Sequence, residues 1–92
     1  MQTIFKYPLE MQDLQKIEAP KGAKFLRVQM QESLDGPALW AYVDSDADPE
    51  ERVILITGTG KEIKVDPKKL RFLDTFQMSD GALVWHVFEV VP

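Results

Sequence analysis

The chain contains no cysteine and only one histidine, and these two absences exclude several kinds of site. Without cysteine there are no disulfides and no thiolate ligands for zinc or iron. The single histidine, His86, excludes a multi-histidine metal site and a Cys–His nucleophilic pair. The fold must therefore be stable without covalent cross-links, and we expect neither a metal nor a cofactor.

Long apolar runs are also missing. No stretch approaches the roughly 18 to 20 consecutive apolar residues that cross a bilayer. The N-terminal sequence "MQTIFKYPLE" lacks the basic segment followed by an apolar segment that marks a signal peptide. We therefore predict a protein of the cytoplasm that has no membrane partner.

A basic stripe is the third feature that the sequence lacks. The formal net charge is −4, and the 11 lysines and arginines are scattered along the chain. Nucleic-acid-binding proteins usually concentrate their cations, because counterion release from phosphates supplies most of their affinity. The sequence therefore predicts no nucleic-acid partner.

Turn-forming residues recur at short intervals along the 92 residues, at positions 8, 20–22, 35–37, 48–49, 58–60, 66–67 and 80–81. The segments between them are rich in Val, Ile, Leu, Phe, Trp and Tyr, which is typical of antiparallel strands. Helical spacing of apolar residues never extends beyond about two turns. We predict one all-β domain over residues 1–92, with about six or seven strands in a Greek-key sandwich or a small open barrel.

Two of the predicted strands alternate between apolar and polar residues. In "AKFLRVQMQ" the side chains of Leu26, Val28 and Met30 are expected on one face, and in "QKIEA" Ile17 lies between two charged residues. Such strands have one solvated face, as in an antiparallel sheet.

Three other segments, "ALVWHVFEVV", "VILI" and "ALWAYV", are apolar on both faces and must be covered on both. One explanation is a small barrel or sandwich whose end strands and N-terminal hairpin cover the second face. The other is a self-association or partner surface that contains Trp40, Tyr42, Trp85 or Phe88, since aromatic residues are enriched at interface hot spots.

The segment "ITGTGKEI", residues 56–63, resembles a phosphate-binding loop only superficially. A Walker loop requires Ser or Thr after its lysine, whereas Glu62 follows Lys61. A dinucleotide-binding turn requires a third glycine where this chain has Ile63. We predict a turn or β-bulge in which Gly58 and Gly60 have positive φ.

The acidic segment "DSDADPEE" places Asp44, Asp46 and Asp48 at the spacing of a calcium-binding loop. An EF-hand also needs glycine at its sixth position and glutamate at its twelfth, where this chain has Pro49 and Leu55. We predict a solvated acidic turn without a metal.

No catalytic set emerges from the remaining polar residues. A Ser–His–Asp arrangement would need His86 with Ser33, Ser45 or Ser79, and none of these serines lies in a nucleophile elbow. Asp74 is expected to share a face with Phe72 and Phe76. We favour a structural role, a buried polar contact with Arg27, Arg71 or His86, over the alternative that Asp74 lines a pocket. We predict that the protein is not an enzyme.

The segments "TIFKYPLE", "KGAKFLRVQMQ", "TGTGKEI", "FLDTFQM" and "GALVWHVFEV" together resemble a family of short proteins of unknown function that is common in tailed bacteriophages, prophages and their bacterial hosts. The resemblance covers almost the whole chain in order. The chain departs from the family pattern at Lys61, where a histidine usually follows the G-T-G. The resemblance implies a phage- or prophage-encoded accessory protein of the host cytoplasm.

These observations favour a non-enzymatic protein-interaction module whose partner is a host or phage protein. They also predict a homodimer whose interface includes part of the C-terminal strand or the strand that contains Trp40. The alternative is a small-molecule or nucleotide-binding domain in which Trp40, Trp85 and His86 stack on a ring and Arg27 supplies charge. The residues that we predict to carry the interaction surface are Arg27, Trp40, Tyr42, Trp85, His86 and Phe88.

Overall fold

The computed structural model describes residues 1–31 and 36–92, so the predicted turn at 35–37 and the candidate Ser33 lie partly or wholly outside the described residues. The described chain forms seven strands: β1 (Gln2–Pro8), β2 (Leu14–Pro20), β3 (Lys24–Gln31), β4 (Gly36–Asp44), β5 (Pro49–Gly58), β6 (Leu70–Met78) and β7 (Leu83–Val90). Two short 3₁₀ turns, Pro67–Lys69 and Ser79–Gly81, flank β6. Within these ranges no helix is long and apolar enough to cross a membrane.

The strands form two antiparallel sheets that pack together without closing into a barrel. The smaller sheet has the order β1-β4-β3 and the larger has the order β2-β5-β7-β6. The backbone extends 40 × 33 × 16 Å, as expected for two thin layers. The prediction of an all-β antiparallel sandwich of about seven strands is confirmed.

The strand order differs from a Greek key. Among the described strands, consecutive strands pair only as β3 with β4 and β6 with β7. The chain changes sheet between β1 and β2, so the predicted N-terminal hairpin is not formed. The tight turn after Pro20 also changes sheet: Ala23 N–H donates to the Pro20 carbonyl oxygen at 3.0 Å, and Gly22 has a φ of 83°.

The core lies between the two sheets. Val28 and Leu39 of the smaller sheet pack with Ile54, Ile56 and Val87 of the larger sheet, and all five are almost completely buried. Burial of each side chain of this size contributes about 1.5 to 3 kcal/mol. These residues occupy alternate positions along their strands, which leaves the intervening side chains on the two outer faces.

A β-bulge in β3 reverses the expected orientation of Leu26. Phe25 pairs with Ala41 and Arg27 with Trp40, so one extra residue is inserted between them. An extra residue shifts the alternation by one position. Phe25 therefore packs against the core together with Val28, and Leu26 is 50% exposed. The prediction that Leu26 shares the face of Val28 is wrong.

A second bulge, in β6, separates Phe72 from the residues after it. Phe72 pairs with Phe88 and Asp74 with Val87, so Leu73 is the extra residue. Phe76 is buried in the core, whereas Phe72 points outward and is 59% exposed. The expected common face of Phe72, Asp74 and Phe76 is therefore wrong for Phe72.

Strand β7 contains no bulge between Leu83 and Val87, and its predicted alternation is confirmed. Trp85 and Val87 contribute to the core, and His86 and Phe88 lie on the opposite face. Glu89 lies on the same inward face as Trp85 and Val87 and is only 4% exposed.

Candidate functional site

The six residues predicted to form one interaction surface lie on two different outer faces and in the core. Arg27, Trp40 and Tyr42 lie on the outer face of the smaller sheet, where their strands pair. His86 and Phe88 lie on the outer face of the larger sheet. Trp85 packs inward against the core. The single ring-binding site expected from Trp40, Trp85 and His86 is therefore not assembled, because neighbouring residues of one strand face opposite ways.

The outer face of the larger sheet carries a continuous apolar row. Phe72 pairs with Phe88, Phe88 with Leu55, and Leu55 with Leu14, so the row crosses all four strands. The rings of Phe72 and Phe88 form an edge-to-face pair with centroids 5.7 Å apart. Leu14 is 52% exposed at the far end of the row. The outer side of an antiparallel sheet is usually polar, so this row is unusual.

A second apolar row runs beside the first. Leu70 pairs with Val90 and Val90 with Val53, and this row ends at Lys16 on β2. We call the two rows together the apolar face; its members are Leu14, Val53, Leu55, Leu70, Phe72, Phe88 and Val90.

The segment 59–66 covers one end of the apolar face. Ile63 and Val65 line a groove of about 280 Å³ together with Leu14, Leu55 and other residues of this end. Leu55 is consequently only 7% exposed, whereas Phe72 stays largely open. The chain itself therefore covers Leu55 and leaves Phe72 uncovered. The cover comes from segment 59–66, and not from the predicted N-terminal hairpin, whose two strands lie in different sheets.

The glycines of "ITGTGKEI" have two different roles. Lys61 N–H donates to the Gly58 carbonyl oxygen at 3.2 Å, which closes a turn, and Gly60 has a φ of 86°. The predicted turn is confirmed, and so is the positive φ of Gly60. The positive φ predicted for Gly58 is wrong, because Gly58 is the last residue of β5 and pairs with Trp85.

His86 lies in the row next to the apolar face and is held by two threonines. Its Nε2 lies 2.8 Å from Thr59 Oγ1, and its Nδ1 lies 3.1 Å from Thr75 Oγ1. Both ring nitrogens are thus engaged by hydroxyl groups. This arrangement fixes the imidazole at the border of the apolar face.

The outer face of the smaller sheet combines aromatic and cationic side chains. Trp40 pairs with Lys6 on one side and with Arg27 on the other. In the neighbouring row, Tyr42 lies between Ile4 and Lys24. We call these six residues the Trp40 face.

Asp74 links the two sheets at their adjoining edges. Its Oδ2 accepts a hydrogen bond from Val28 N–H at 2.9 Å and lies 3.7 Å from Arg27 Nε. Its Oδ1 accepts from Thr75 N–H at 2.8 Å. Of the three expected partners of Asp74, Arg27 is therefore the one that the structure provides.

A buried ion pair between Arg52 and Glu89 was not anticipated from the sequence. Arg52 donates to both Glu89 carboxylate oxygens, and its Nη2 lies 2.9 Å from Oε1. Arg52 Nη1 also donates to the Ala23 carbonyl oxygen at 2.9 Å, and its guanidinium lies 4.3 Å from the ring centroid of Phe25. The hydrogen bond to Glu89 raises the pKa of Arg52. A carboxylate on the core side of an otherwise apolar strand was the one available signal.

The Arg52–Glu89 pair borders a cleft at one end of the sandwich. The cleft has a volume of about 670 Å³ and is also lined by Glu50 and Arg71. Glu50 lies 3.6 Å from Arg52, and Arg71 lies 3.9 Å from Glu89. The charges of the cleft thus oppose one another, which is typical of a structural network between sheets.

The acidic turn does not form a metal-binding cluster. Within residues 1–31 and 36–92, no group of three or more His, Asp or Glu side chains is arranged to hold a metal ion. The amine of Met1 lies 3.1 Å from Asp44 Oδ1 and 2.5 Å from Asp46 Oδ2. These carboxylates are therefore opposed by an ammonium group.

A sequence family described as Domain of unknown function (DUF7352) matches residues 1–92. The chain belongs to this family. The match agrees with the resemblance to a family of unknown function that the sequence motifs indicated. No curated protein and no solved structure matches the chain.

Proposed function

We propose that the domain is a non-enzymatic protein-interaction module that docks through the apolar face. The observation that supports this proposal is the row Phe72–Phe88–Leu55–Leu14, which is apolar across every strand of the larger sheet. Phe72 is 59% exposed at one end of it. Burial of apolar area contributes about 25 cal/mol per Å², so a protein surface that covers this row gains free energy.

The dimensions of the sheet suit the centre of a protein interface. Four strands and a strand length of eight residues give a face of roughly 500 Å². A standard interface buries about 800 Å² on each partner, with an apolar centre and a polar rim. The aromatic pair Phe72–Phe88 would form the hot spot, and Lys16 and His86 would lie on the rim.

A second copy of the domain is the simplest partner for this face. Two-fold dimers are the commonest soluble oligomers, and their interfaces are formed by the same patch on both subunits. The apolar face carries no charge of its own, so two copies would meet without like-charge repulsion. The homodimer predicted from the sequence is therefore proposed at this face rather than at the Trp40 strand.

We also propose that the domain is a phage or prophage accessory protein, with its partners in the host cytoplasm. Support for this setting comes from the motifs "TIFKYPLE" and "GALVWHVFEV", which resemble the phage-associated pattern. Under this proposal a host or phage protein competes with the second copy for the apolar face.

Sedimentation velocity at micromolar concentration tests the docking face. We expect the native chain to sediment at twice its mass of 10.5 kDa, and Phe72→Ser to sediment as a monomer. Leu26→Ser is the matched control, because Leu26 is 50% exposed on the other sheet. A native monomer, or a Phe72→Ser dimer, would contradict self-association at this face.

A photo-reactive residue at position 72 tests for other protein partners. After cross-linking in host lysate, the captured protein would be purified and its affinity measured for the native chain, Phe72→Ser and Leu26→Ser. We expect only Phe72→Ser to lose affinity. Equal affinity of all three chains would place the interaction elsewhere.

A further inference from the structure

The fold brings together cations that are far apart in the sequence. Lys6 belongs to β1 and Arg27 to β3, yet both pair with Trp40 of β4 and flank its side chain in one row. Lys24 flanks Tyr42 in the next row. Three of the 11 cations of the chain therefore share one face with two aromatic rings. Their scatter along the sequence gave no sign of this arrangement.

The Trp40 face is positively charged although the chain carries a net charge of −4. Among the described outward positions of its three strands, the one carboxylate is Asp44 at the end of β4, and the Met1 amine lies 3.1 Å from it. Asp74 approaches Arg27 from the edge of the other sheet, but both of its oxygens accept backbone N–H groups. Arg27 keeps 63% of its side chain exposed.

The aromatic rings of this face are accessible to a ligand. Tyr42 is 46% exposed and Ile4 beside it is 47% exposed, and Trp40 is partly exposed. Trp40 and Tyr42 are two positions apart on one strand, which separates their side chains by about 6.6 Å on the same face. Aromatic residues on an open sheet stack with the bases of single strands, and neighbouring cations bind the phosphates.

We propose that the Trp40 face binds a short single-stranded nucleic acid. Trp40 and Tyr42 stack with its bases, and Lys6, Lys24 and Arg27 contact its phosphates. The proposal is independent of the docking of proteins at the apolar face, which lies on the other sheet.

The open position of Tyr42 and Trp40 favours a strand over a free nucleotide. Small-molecule sites are concave and bury about 70 to 90% of their ligand. Five clefts among the described residues include neither Trp40 nor Tyr42, and one of them is lined by Lys24 at the edge of this face. A strand that crosses an open face can instead combine several weak stacking and phosphate contacts.

Fluorescence anisotropy with a labelled oligothymidylate of about ten nucleotides tests the proposal. This length lies within the range of about 4 to 16 nucleotides that OB-fold domains bind. We expect saturable binding to the native chain at low salt. For three phosphate contacts, a plot of the logarithm of the binding constant against the logarithm of the salt concentration should have a slope of about −2. Absence of binding at low salt would overturn the proposal.

Two triple variants with the same change in charge locate the site. Lys6→Gln/Lys24→Gln/Arg27→Gln should abolish the salt-dependent binding, whereas Lys64→Gln/Lys68→Gln/Lys69→Gln should retain most of it. Lys64, Lys68 and Lys69 are exposed and lie outside the Trp40 face. Circular dichroism checks that both variants fold. An equal loss in both variants would show that net charge, and not this face, governs binding.

Tyr42→Ala and two competitors identify the class of ligand. Loss of one stacking contact should weaken binding about five-fold or more. Thymidine monophosphate and polyglutamate should compete much less well than unlabelled oligothymidylate. If the mononucleotide competes equally well, the ligand is a nucleotide and not a strand. If polyglutamate competes equally well, the ligand is an acidic peptide. Either result overturns the proposal, and so does unchanged binding of Tyr42→Ala.

Discussion

The ring of Trp85 occupies the space that a side chain at position 58 would need. Gly58 pairs with Trp85 across β5 and β7, and a Cβ atom at position 58 would lie 3.3 Å from Cζ3 of the ring. On its other side Trp85 pairs with Phe76, which is buried in the core. To admit that Cβ atom, the ring would have to shift by a few tenths of an ångström.

Gly58→Ala should lower the free energy of unfolding by about 1 kcal/mol. Alanine would normally stabilise a strand relative to glycine by roughly 0.5 to 1 kcal/mol, but overpacking typically costs about 1 to 3 kcal/mol. Urea denaturation of the native chain and the variant measures the difference. An increase in stability would show that the Trp85 ring moves freely.

The same substitution in a Trp85→Phe background provides the control. The phenylalanine ring lacks the Cζ3 atom that a Cβ atom at position 58 would meet. The change to phenylalanine also breaks no hydrogen bond to a described residue, because Trp85 Nε1 is buried without such a bond. The cost of Gly58→Ala should therefore shrink in this background, and the double-mutant cycle isolates the contact. An unchanged cost would assign the effect to the backbone of Gly58.

Tyr7 should make the domain sensitive to high pH. Burial raises the pKa of Tyr7 above its ordinary value of 10.0. Because the folded-state pKa is the higher one, this group stabilises the fold fully below pH 10, and the contribution is lost as pH rises through the folded-state pKa. Near-ultraviolet absorbance should show one tyrosine that titrates late and is missing in Tyr7→Phe.

The stability of Tyr7→Phe at alkaline pH tests the linkage. This variant keeps the ring that packs edge-to-face with Phe5, with centroids 6.4 Å apart, and removes only the titrating hydroxyl. From about pH 9 to about pH 11 its unfolding free energy should fall less steeply than that of the native chain. Parallel curves would show that Tyr7 ionises equally well in both states.

The sequence allowed the fold class to be predicted because turn residues separate the strands at regular intervals. In β7 the alternation of Trp85 and Val87 with His86 and Phe88 is regular, and its two faces could be assigned correctly. Strands β3 and β6 each contain a bulge, which follows from pairing with a partner strand rather than from local sequence. Leu26 and Phe72 were assigned to the wrong face for this reason.

The candidate sites could not be predicted from the sequence, because they depend on which strands pair, and local sequence patterns do not specify strand pairing. The row from Phe72 to Leu14 requires the order β2-β5-β7-β6, in which no two consecutive strands are neighbours except β6 and β7. Arg52 follows an acidic turn in the sequence and resembles a surface residue. In the fold it lies diagonally opposite Glu89, which pairs with Ile54, and the two side chains form an ion pair with little exposure. The residue types were visible in the sequence, but their neighbours were not.

Asp74 should stabilise the junction of the two sheets through its hydrogen bond to Val28. Asp74→Ala would leave the Val28 N–H without this acceptor, which costs about 1 to 3 kcal/mol for a buried donor. Asp74→Asn retains an acceptor oxygen and should cost less. Hydrogen exchange of the Val28 amide should accelerate in the alanine variant. Equal stability of the two variants would show that the carboxylate acts through its charge.

Glu89→Gln should be strongly destabilising, because it removes the carboxylate that accepts two hydrogen bonds from Arg52 and leaves, among the described residues, only Glu50, 3.6 Å away, to oppose the guanidinium. The side chains of Arg52 and Glu89 are 13% and 5% exposed, and breaking a buried pair by removal of one partner typically costs about 3 to 5 kcal/mol. The double variant Arg52→Met/Glu89→Leu removes both charges and keeps apolar volume, so it should be more stable than Glu89→Gln in urea denaturation.

Lys16→Gln is the control, since Lys16 forms an exposed pair with Glu51 at 3.6 Å, and such pairs contribute about 0 to 1 kcal/mol. A double variant less stable than Glu89→Gln would show that the hydrogen bonds of Arg52 to Ala23 and its contact with Phe25, rather than charge balance, hold this end of the sandwich together.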